Sequence, residues 1–245
     1  MTVHVEQVMG LPVSLDLRDA GDHSAAVGRA FAWLHEADAR FSPFEPGSEV
    51  CRYDRGELST PDLSDELREV LELCVHYEGL SGGAFSAWLP GRPFDPCAVV
   101  KGLAVQRAAD GLRSAGVKTF CLNAGGDVVT SGEPEPGRPW RVGVRHPDLP
   151  GAVCAVVASR DGAVATSAAY ERGQHILDGR TGRPATGLLS VTVVAADLVT
   201  ADAFATAAFA LGTDGIAWAA GQPGCQVLIV DGDRRVHRSP GLVPA

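Results

Sequence analysis

The sequence predicts an α+β fold, largely antiparallel sheets with packed helices, in two intimately joined halves. Three observations point there. Short β-branched runs are joined by tight-turn residues, as at Gly125-Gly126 between 120–123 and 128–130. Stretches with helical spacing of apolar residues stand between groups of strands, not in long βαβ alternation. The GxGxxG turn of a Rossmann unit is absent. At 245 residues the chain can bury a substantial core, and 1–245 reads as a single domain.

Taken in order, 3–8 and 13–17 read as strands. Residues 24–38 place Val27, Ala30, Phe31 and Leu34 on one helical face. A loop rich in Pro, Gly and Ser follows, and Ser64-Asp65-Glu66 opens a second helix running to 78, with acidic residues in its first turn. A third helix is expected over 102–115, stopped by Gly116. Further strands are expected at 120–123, 128–130, 140–145, 153–158, 163–166 and 189–195. A helix opening near Asp202 covers 201–211 and continues through 215–220. The strands 226–230 and 234–237, around Asp231-Gly232-Asp233, make a closing hairpin within 225–238. The stretch 131–139 reads as a loop, not a domain boundary.

Composition excludes several function classes. Hydrophobic content of 45% and charged content of 21% are ordinary for a globular protein. A formal net charge of −9 argues against nucleic acid as a partner, because phosphate backbones need clustered Lys and Arg. An anionic ligand must therefore be met locally, by a metal, a helix N-terminus or a few cations. The first residues carry no basic n-region, and no window approaches the ~20 apolar residues of a membrane span. The expectation is a cytoplasmic protein without membrane insertion. Six cysteines at 51, 74, 97, 121, 154 and 225 form no CxxC pair, so buried free thiols are expected, not zinc or a disulfide framework.

The segment 162–212 carries most of the chemistry. Asp202 and Thr206, four apart, share one helix face. A hard cation such as Mg²⁺ suits that oxygen pair, and so does a plainer reading in which Asp202 complements the helix dipole and Thr206 bonds back to its own helix. Lys101, at an expected strand-to-helix junction, suits a pyrophosphate or flavin group, or is a solvated surface lysine. Asn123, Gly125, Gly126 and Asp127 suit a cofactor pocket wall or only a tight hairpin. His175 lies in a polar loop with Asp178, and imidazole as a side-chain type is suited to proton transfer near neutrality. Thr166 and Ser167 are candidate donors to a phosphate; no triad supports either as a nucleophile.

Read together, Met9-Gly10, Phe41-Ser42-Pro43-Phe44-Glu45-Pro46-Gly47, Ser81-Gly82-Gly83-Ala84-Phe85, Lys101-Gly102-Leu103-Ala104-Val105, Leu122-Asn123-Ala124-Gly125-Gly126-Asp127, Ala165-Thr166-Ser167 with His175-Ile176-Leu177-Asp178, and Ala201-Asp202-Ala203-Phe204-Ala205-Thr206 resemble the FAD:protein FMN transferases of the ApbE type. The resemblance runs from about Val8 to Gly212. It implies an ApbE-like fold and Mg²⁺ held by the side chains of Asp202 and Thr206 and the backbone carbonyl of Ala98. It implies FAD contacts at Met9, Phe44, Ala84, Phe85, Ser86, Lys101 and Ile176, with Asn123, Gly125, Gly126 and Asp127 in the pocket wall. The implied activity is transfer of the FMN moiety of FAD to a Thr or Ser hydroxyl of a client flavoprotein, releasing AMP, with His175 or a nearby carboxylate taking the proton. The alternatives are an FAD pyrophosphatase giving FMN and AMP, and a non-catalytic FAD-binding protein. The chain departs from the pattern at Ser86, where relatives usually have Asp, and at Ala205, where some carry another Asp. Ala168 stands in place of a frequent Gly. Gly179 replaces a usual Pro, which predicts a more mobile loop. Many relatives are exported lipoproteins; no lipobox cysteine stands near the start of this chain.

Overall fold

The computed structural model describes residues 2–149, 151–169, 173 and 175–242. Tyr170, Glu171 and Arg172, which the sequence places in the polar loop, lie outside the described residues. The order is β1 (Thr2–Val8), β2 (Leu11–Leu17), α1 (Ser24–Phe41), α2 (Glu49–Asp54), α3 (Asp65–Leu80), α4 (Cys97–Ser114), β3 (Phe120–Ala124), β4 (Asp127–Ser131), β5 (Trp140–Arg145), β6 (Val153–Ser159), β7 (Gly162–Ala168), β8 (Leu177–Asp178), β9 (Arg183–Pro184), β10 (Leu188–Ala195), α5 (Leu198–Ala210), α6 (Asp214–Ala220), β11 (Gln226–Asp231) and β12 (Val236–Arg238). Eight strands form one sheet in the order β1-β2-β3-β4-β7-β10-β11-β12. Every neighbouring pair in it is antiparallel. The α+β, antiparallel expectation holds, with one continuous sheet running from β1 to β12.

Alternation along the strands gives the sheet two apolar faces. On one, α5 lies against β7 and β10, and α4 lies between α1 and α5. The main core forms here, with Leu15, Leu34, Val99, Leu112, Phe120, Leu198 and Ile229 fully buried. On the other face the β5–β6 ribbon brings Val142, Val144 and Val157 onto Val128, Val164 and Leu228. Among the described residues no helix is long and apolar enough to cross a membrane. No disulfide joins the six cysteines among the described residues, but the expected burial holds only for Cys74, whose thiol it pushes up to about 12; Cys154 is exposed and the other four are half-buried.

Two helix starts differ from the sequence reading, and both matter. The third helix begins at Cys97, not Gly102, because Asp95 Oδ1 accepts from Cys97 N at 3.0 Å and the Pro96 carbonyl accepts from Val99 N and Val100 N. Val99 and Val100 resemble a strand only because they are buried. Lys101 is therefore inside a helix, not at a strand-to-helix junction. The helix carrying Asp202 begins at Leu198, where Asp197 caps it by accepting from Thr200 N at 2.8 Å. Asp202 thus sits past the first turn, and the dipole reading no longer applies to it. That helix also ends at Ala210; Gly212, at φ +64°, turns the chain before α6. The loop after α1 contains a helical turn, α2, capped by Ser48 Oγ on Cys51 N.

The approach of α4 to α5 depends on Gly102. A Cβ there would lie 3.0 Å from the Leu198 carbonyl oxygen and 3.0 Å from Val199 Cα, both backbone atoms that cannot step aside. Gln106 Oε1 closes the same contact by accepting from Leu198 N at 2.9 Å. Ordinarily Gly→Ala inside a helix is favourable by about 0.5–1 kcal/mol. At Gly111, with nothing near its Cβ position, Gly111→Ala is expected to stabilise by about that amount. Gly102→Ala is expected to lower unfolding free energy by about 1–2 kcal/mol in chemical denaturation, because overpacking exceeds the helix gain. A gain at both positions would show that the helices have room to separate.

Candidate functional site

The helix contact sets the site. α4 and α5 run antiparallel past each other: Gln106 meets Leu198, Gly102 meets Leu198 and Val199, and Lys101 reaches Asp202. Lys101 Nζ lies 3.3 Å from Asp202 Oδ1 and pairs also with Asp127 Oδ2 at the start of β4. Asp127 is held from its other side by Thr166 N, which donates to Oδ1 at 3.0 Å. Ser167, on the helix-facing side of β7, shares a hydrogen bond of 3.2 Å with Thr206 Oγ1. Lys101, Asp127, Ser167, Asp202 and Thr206 therefore form one cluster where β4 and β7 meet α4 and α5.

The electrostatics of this cluster are unusual for a helix–sheet seam. Asp127 and Asp202 are each only 3% exposed, while the Lys101 side chain keeps 29% of its surface. Among the described residues neither Asp127 Oδ2 nor Asp202 Oδ2 receives a hydrogen bond; Asp127 Oδ2 has only its ion-pair contact. Burial pushes the Asp202 carboxyl up, Lys101 opposes that rise, and the like charge of Asp127 adds to it. For Lys101, burial works against the charged form, but Asp202 and Asp127 outweigh it and hold the ammonium above the usual lysine range. Two carboxylates and hydroxyls with buried oxygens left unmatched are the donor set a hard divalent cation takes. The residues present fit Mg²⁺. Among the described residues no group of three or more His, Cys, Asp or Glu is close enough to hold a metal, so any such site rests on two acids, hydroxyls and backbone. Ala98 lies in the first turn of α4, where its carbonyl is also the ordinary acceptor for the amide of Gly102.

The other expected residues fall into two further groups. Asn123, Gly125 and Gly126 form the β3–β4 hairpin tip, with both glycines at positive φ and Asn123 Oδ1 accepting from Gly126 N. Gly125 N donates to Pro12 O, which sets the tip beside the β1–β2 turn, where Met9 stands at φ +54° with its amide on Asp38 Oδ2. Phe44, in the loop after α1, is 78% exposed. The third group joins Ala84, Phe85 and Ser86 to the loop at 175–185. Gly179 N donates to the Ala84 carbonyl, and a Cβ at 179 would lie 2.4 Å from the Gly83 carbonyl oxygen. Proline would lose that bond and collide, so Gly179 here serves close packing. Tyr77 connects this group to α5, with ring centroids 6.2 Å from Phe85 and 5.7 Å from Phe204. Ile176 is buried, and Ser86 Oγ bonds only locally, to the backbone of Trp88.

His175 and Asp178 do not pair. His175 is exposed and its Nδ1 lies 3.0 Å from the Gly173 carbonyl, so donation from Nδ1 leaves Nε2 as an acceptor with no partner among the described residues. Both Asp178 oxygens are taken by Arg180, at 2.8 and 2.9 Å, which holds the Asp178 carboxyl below its usual range. Sequence reasoning missed Arg180, and also Thr192, whose hydroxyl meets that of Thr166 at 2.9 Å on the far face of the sheet. The Asp-Leu-Val-Thr run at 197–200 was the signal that could have placed the α5 start correctly.

The family model described as the ApbE family matches residues 9–89 and 88–229. A Rhodobacter capsulatus protein named FAD:protein FMN transferase is 36% identical over 238 residues, covering 93% of this chain. A Treponema pallidum (strain Nichols) protein of the same name is 33% identical over 250 residues, covering 89%. The chain spans 42% of the length of the first and 68% of the second. The structure of the flavin transferase ApbE from Vibrio cholerae superposes with a TM-score of 0.83 at 21% identity, covering 98% of this chain and 97% of that one. The ApbE protein from Thermotoga maritima gives 0.84 at 23%, with the same coverage. These two structures share the fold described above.

The raised Asp202 pKa has a signed consequence for stability. The folded state holds a proton that the unfolded state releases near pH 4, so the contribution of this group falls as pH rises from there toward neutrality. Asp202→Asn removes that dependence. In EDTA, the melting temperature of the variant minus that of the parent is expected to increase from about pH 5 to about pH 8. A difference that stays constant or decreases would mean that the buried carboxylate is ionised at no cost.

Proposed function

The chain belongs to the ApbE family, and on that premise we propose that it is a transferase moving the FMN moiety of FAD to a Thr or Ser hydroxyl of a client flavoprotein, with release of AMP and dependence on Mg²⁺. The observation that carries this reading is the buried Lys101–Asp127–Asp202 cluster flanked by the hydroxyls of Ser167 and Thr206. It supplies both signs of charge in a chain of net charge −9, which is what an anionic pyrophosphate and a charge-balancing cation require. Asp202 and Thr206 would hold Mg²⁺, with the Ala98 carbonyl as a further donor, and the ion would supply charge neutralisation at the pyrophosphate.

The remaining work falls to the chain itself. Lys101, whose side chain is 29% exposed, would offer its ammonium to the phosphate oxygens. Met9 and Phe44, with the Asn123, Gly125, Gly126 hairpin tip beside Met9, offer apolar and backbone surface to one end of FAD. Ala84, Phe85, Ser86 and Ile176 offer the same to the other. Ser167, on the helix-facing side of β7, offers its hydroxyl to a phosphate, whereas the Thr166 hydroxyl turns to Thr192 on the far face and Thr166 contributes through its amide on Asp127. The client hydroxyl oxygen bonds to the FMN phosphorus as the bridging P–O bond to AMP breaks. The hydroxyl proton passes to a base, for which His175 Nε2, without a partner among the described residues, is the candidate. Asp178, tied to Arg180, acts on this loop by fixing its turn. Positioning and electrostatics supply most of the acceleration in such transfers.

The test is incubation with FAD, Mg²⁺ and a threonine-containing acceptor, read by intact mass and nucleotide analysis. An acceptor mass gain of one FMN with equimolar AMP is expected; FMN and AMP without adduct would replace transfer by hydrolysis. Asp202→Ala is expected to abolish AMP release. His175→Ala is expected to lower turnover by roughly 10²–10⁴-fold with little change in FAD affinity. A joint loss of FAD affinity and turnover would make His175 a brace for the loop.

A further inference from the structure

The cluster contains more negative charge than the cation ligands named above. Asp127 is as buried as Asp202, and its Oδ1 is fixed by the Thr166 amide, which leaves Oδ2 turned toward Lys101. Asp202 presents Oδ1 to the same ammonium at 3.3 Å and leaves Oδ2 without a partner among the described residues. One monovalent cation thus serves two buried carboxylates. With all three groups ionised the pocket keeps one unit of negative charge, which a low-dielectric seam tolerates poorly. The oxygens around it, from Ser167, Thr206, Asp127 and Asp202, are those a hard divalent ion prefers to nitrogen. Lys101 is also the most exposed side chain of the three and stands on a flexible stem, so it can leave without disturbing α4.

We propose that Asp127 is the second carboxylate of the Asp202 cation site, and that Lys101 is its resident occupant, displaced when a divalent cation enters. This rests on the reading of Asp202 and Thr206 as cation ligands. The exchange brings the pocket to neutrality and frees an ammonium at its mouth. Cation entry and the appearance of a phosphate-binding charge are then one event. Asp127, read from the sequence as part of a hairpin and pocket wall, becomes a cation ligand. Lys101 competes with the divalent ion before it serves the anionic substrate.

The test uses the full chain, freed of metal and FAD, titrated with Mg²⁺ alone by calorimetry and thermal unfolding. Lys101→Met removes the ammonium and keeps the stem. It is expected to lower the metal-free melting temperature, to tighten Mg²⁺ binding by on the order of tenfold, and to enlarge the Mg²⁺-induced rise in melting temperature. Asp127→Asn is expected to weaken Mg²⁺ binding by about tenfold, since fewer charged ligands remain. If Lys101→Met folds poorly without metal, the pair Lys101→Met/Asp127→Asn removes one charge of each sign. It should recover metal-free stability while binding Mg²⁺ less tightly than Lys101→Met does in metal-supplemented refolding. Mg²⁺ binding by Lys101→Met no tighter than the parent's overturns the proposal, as does unchanged binding by Asp127→Asn. FAD fluorescence titration of the parent reports separately on the flavin reading: absence of FAD binding with the exchange intact would sink that reading and leave this one standing.

Discussion

Two carboxylates buried in the seam between a sheet and two helices need a cation, and much of the local architecture follows from that requirement. Asp127 comes from a strand start, Asp202 from one helix and Lys101 from another. Unpaired, each buried charge would cost several kcal/mol. The three elements must therefore meet at close range, and Gly102 is what allows α4 to come near enough to α5 for Lys101 to reach. Gln106 and Asp197 then fix where α5 begins, which sets the depth of Asp202. A charged site is thereby held by backbone contacts that owe nothing to the charges themselves.

The antiparallel sheet contributes rigidity of a particular kind. Ser167 and Thr166 are neighbours on β7 and point to opposite faces. Ser167 meets Thr206 on the helix side, and Thr166 meets Thr192 on the other, while the Thr166 amide orients Asp127. One short strand thus aligns a hydroxyl and a carboxylate toward the helices. The loop carrying His175 is attached differently. It is tied to the segment after α3 by the Gly179 amide and by close contact with Gly83 and Ser86, and it is braced internally by Arg180 on Asp178.

Much of this was legible in the sequence because its signals are local. The antiparallel strands, the Gly125-Gly126 hairpin and the Asp202/Thr206 spacing can all be read from short windows. The motifs that resemble the ApbE type are short windows as well, and their order along the chain agrees with the family match. What was not legible depends on distant pairing. Lys101 and Asp127 belong to different elements, and no periodicity announces that one will neutralise the other. Asp202 looked like a first-turn acid because the apolar run before it hid the Asp197 cap. His175 and Asp178 looked like a pair because they are near in sequence, but the turn at 178–182 gives the carboxylate to Arg180 instead. Gly179 reads as added mobility in one dimension and as a packing requirement in three.

The decisive observable is the place where a divalent ion and a pyrophosphate meet. Crystals grown with FAD and Mn²⁺ in place of Mg²⁺, measured at the manganese edge, locate the ion by its anomalous signal. A peak bonded to Asp202 and Thr206, with the FAD pyrophosphate against it, is the result expected. FAD bound with its phosphates away from Asp202, or a manganese peak on surface carboxylates alone, would contradict it.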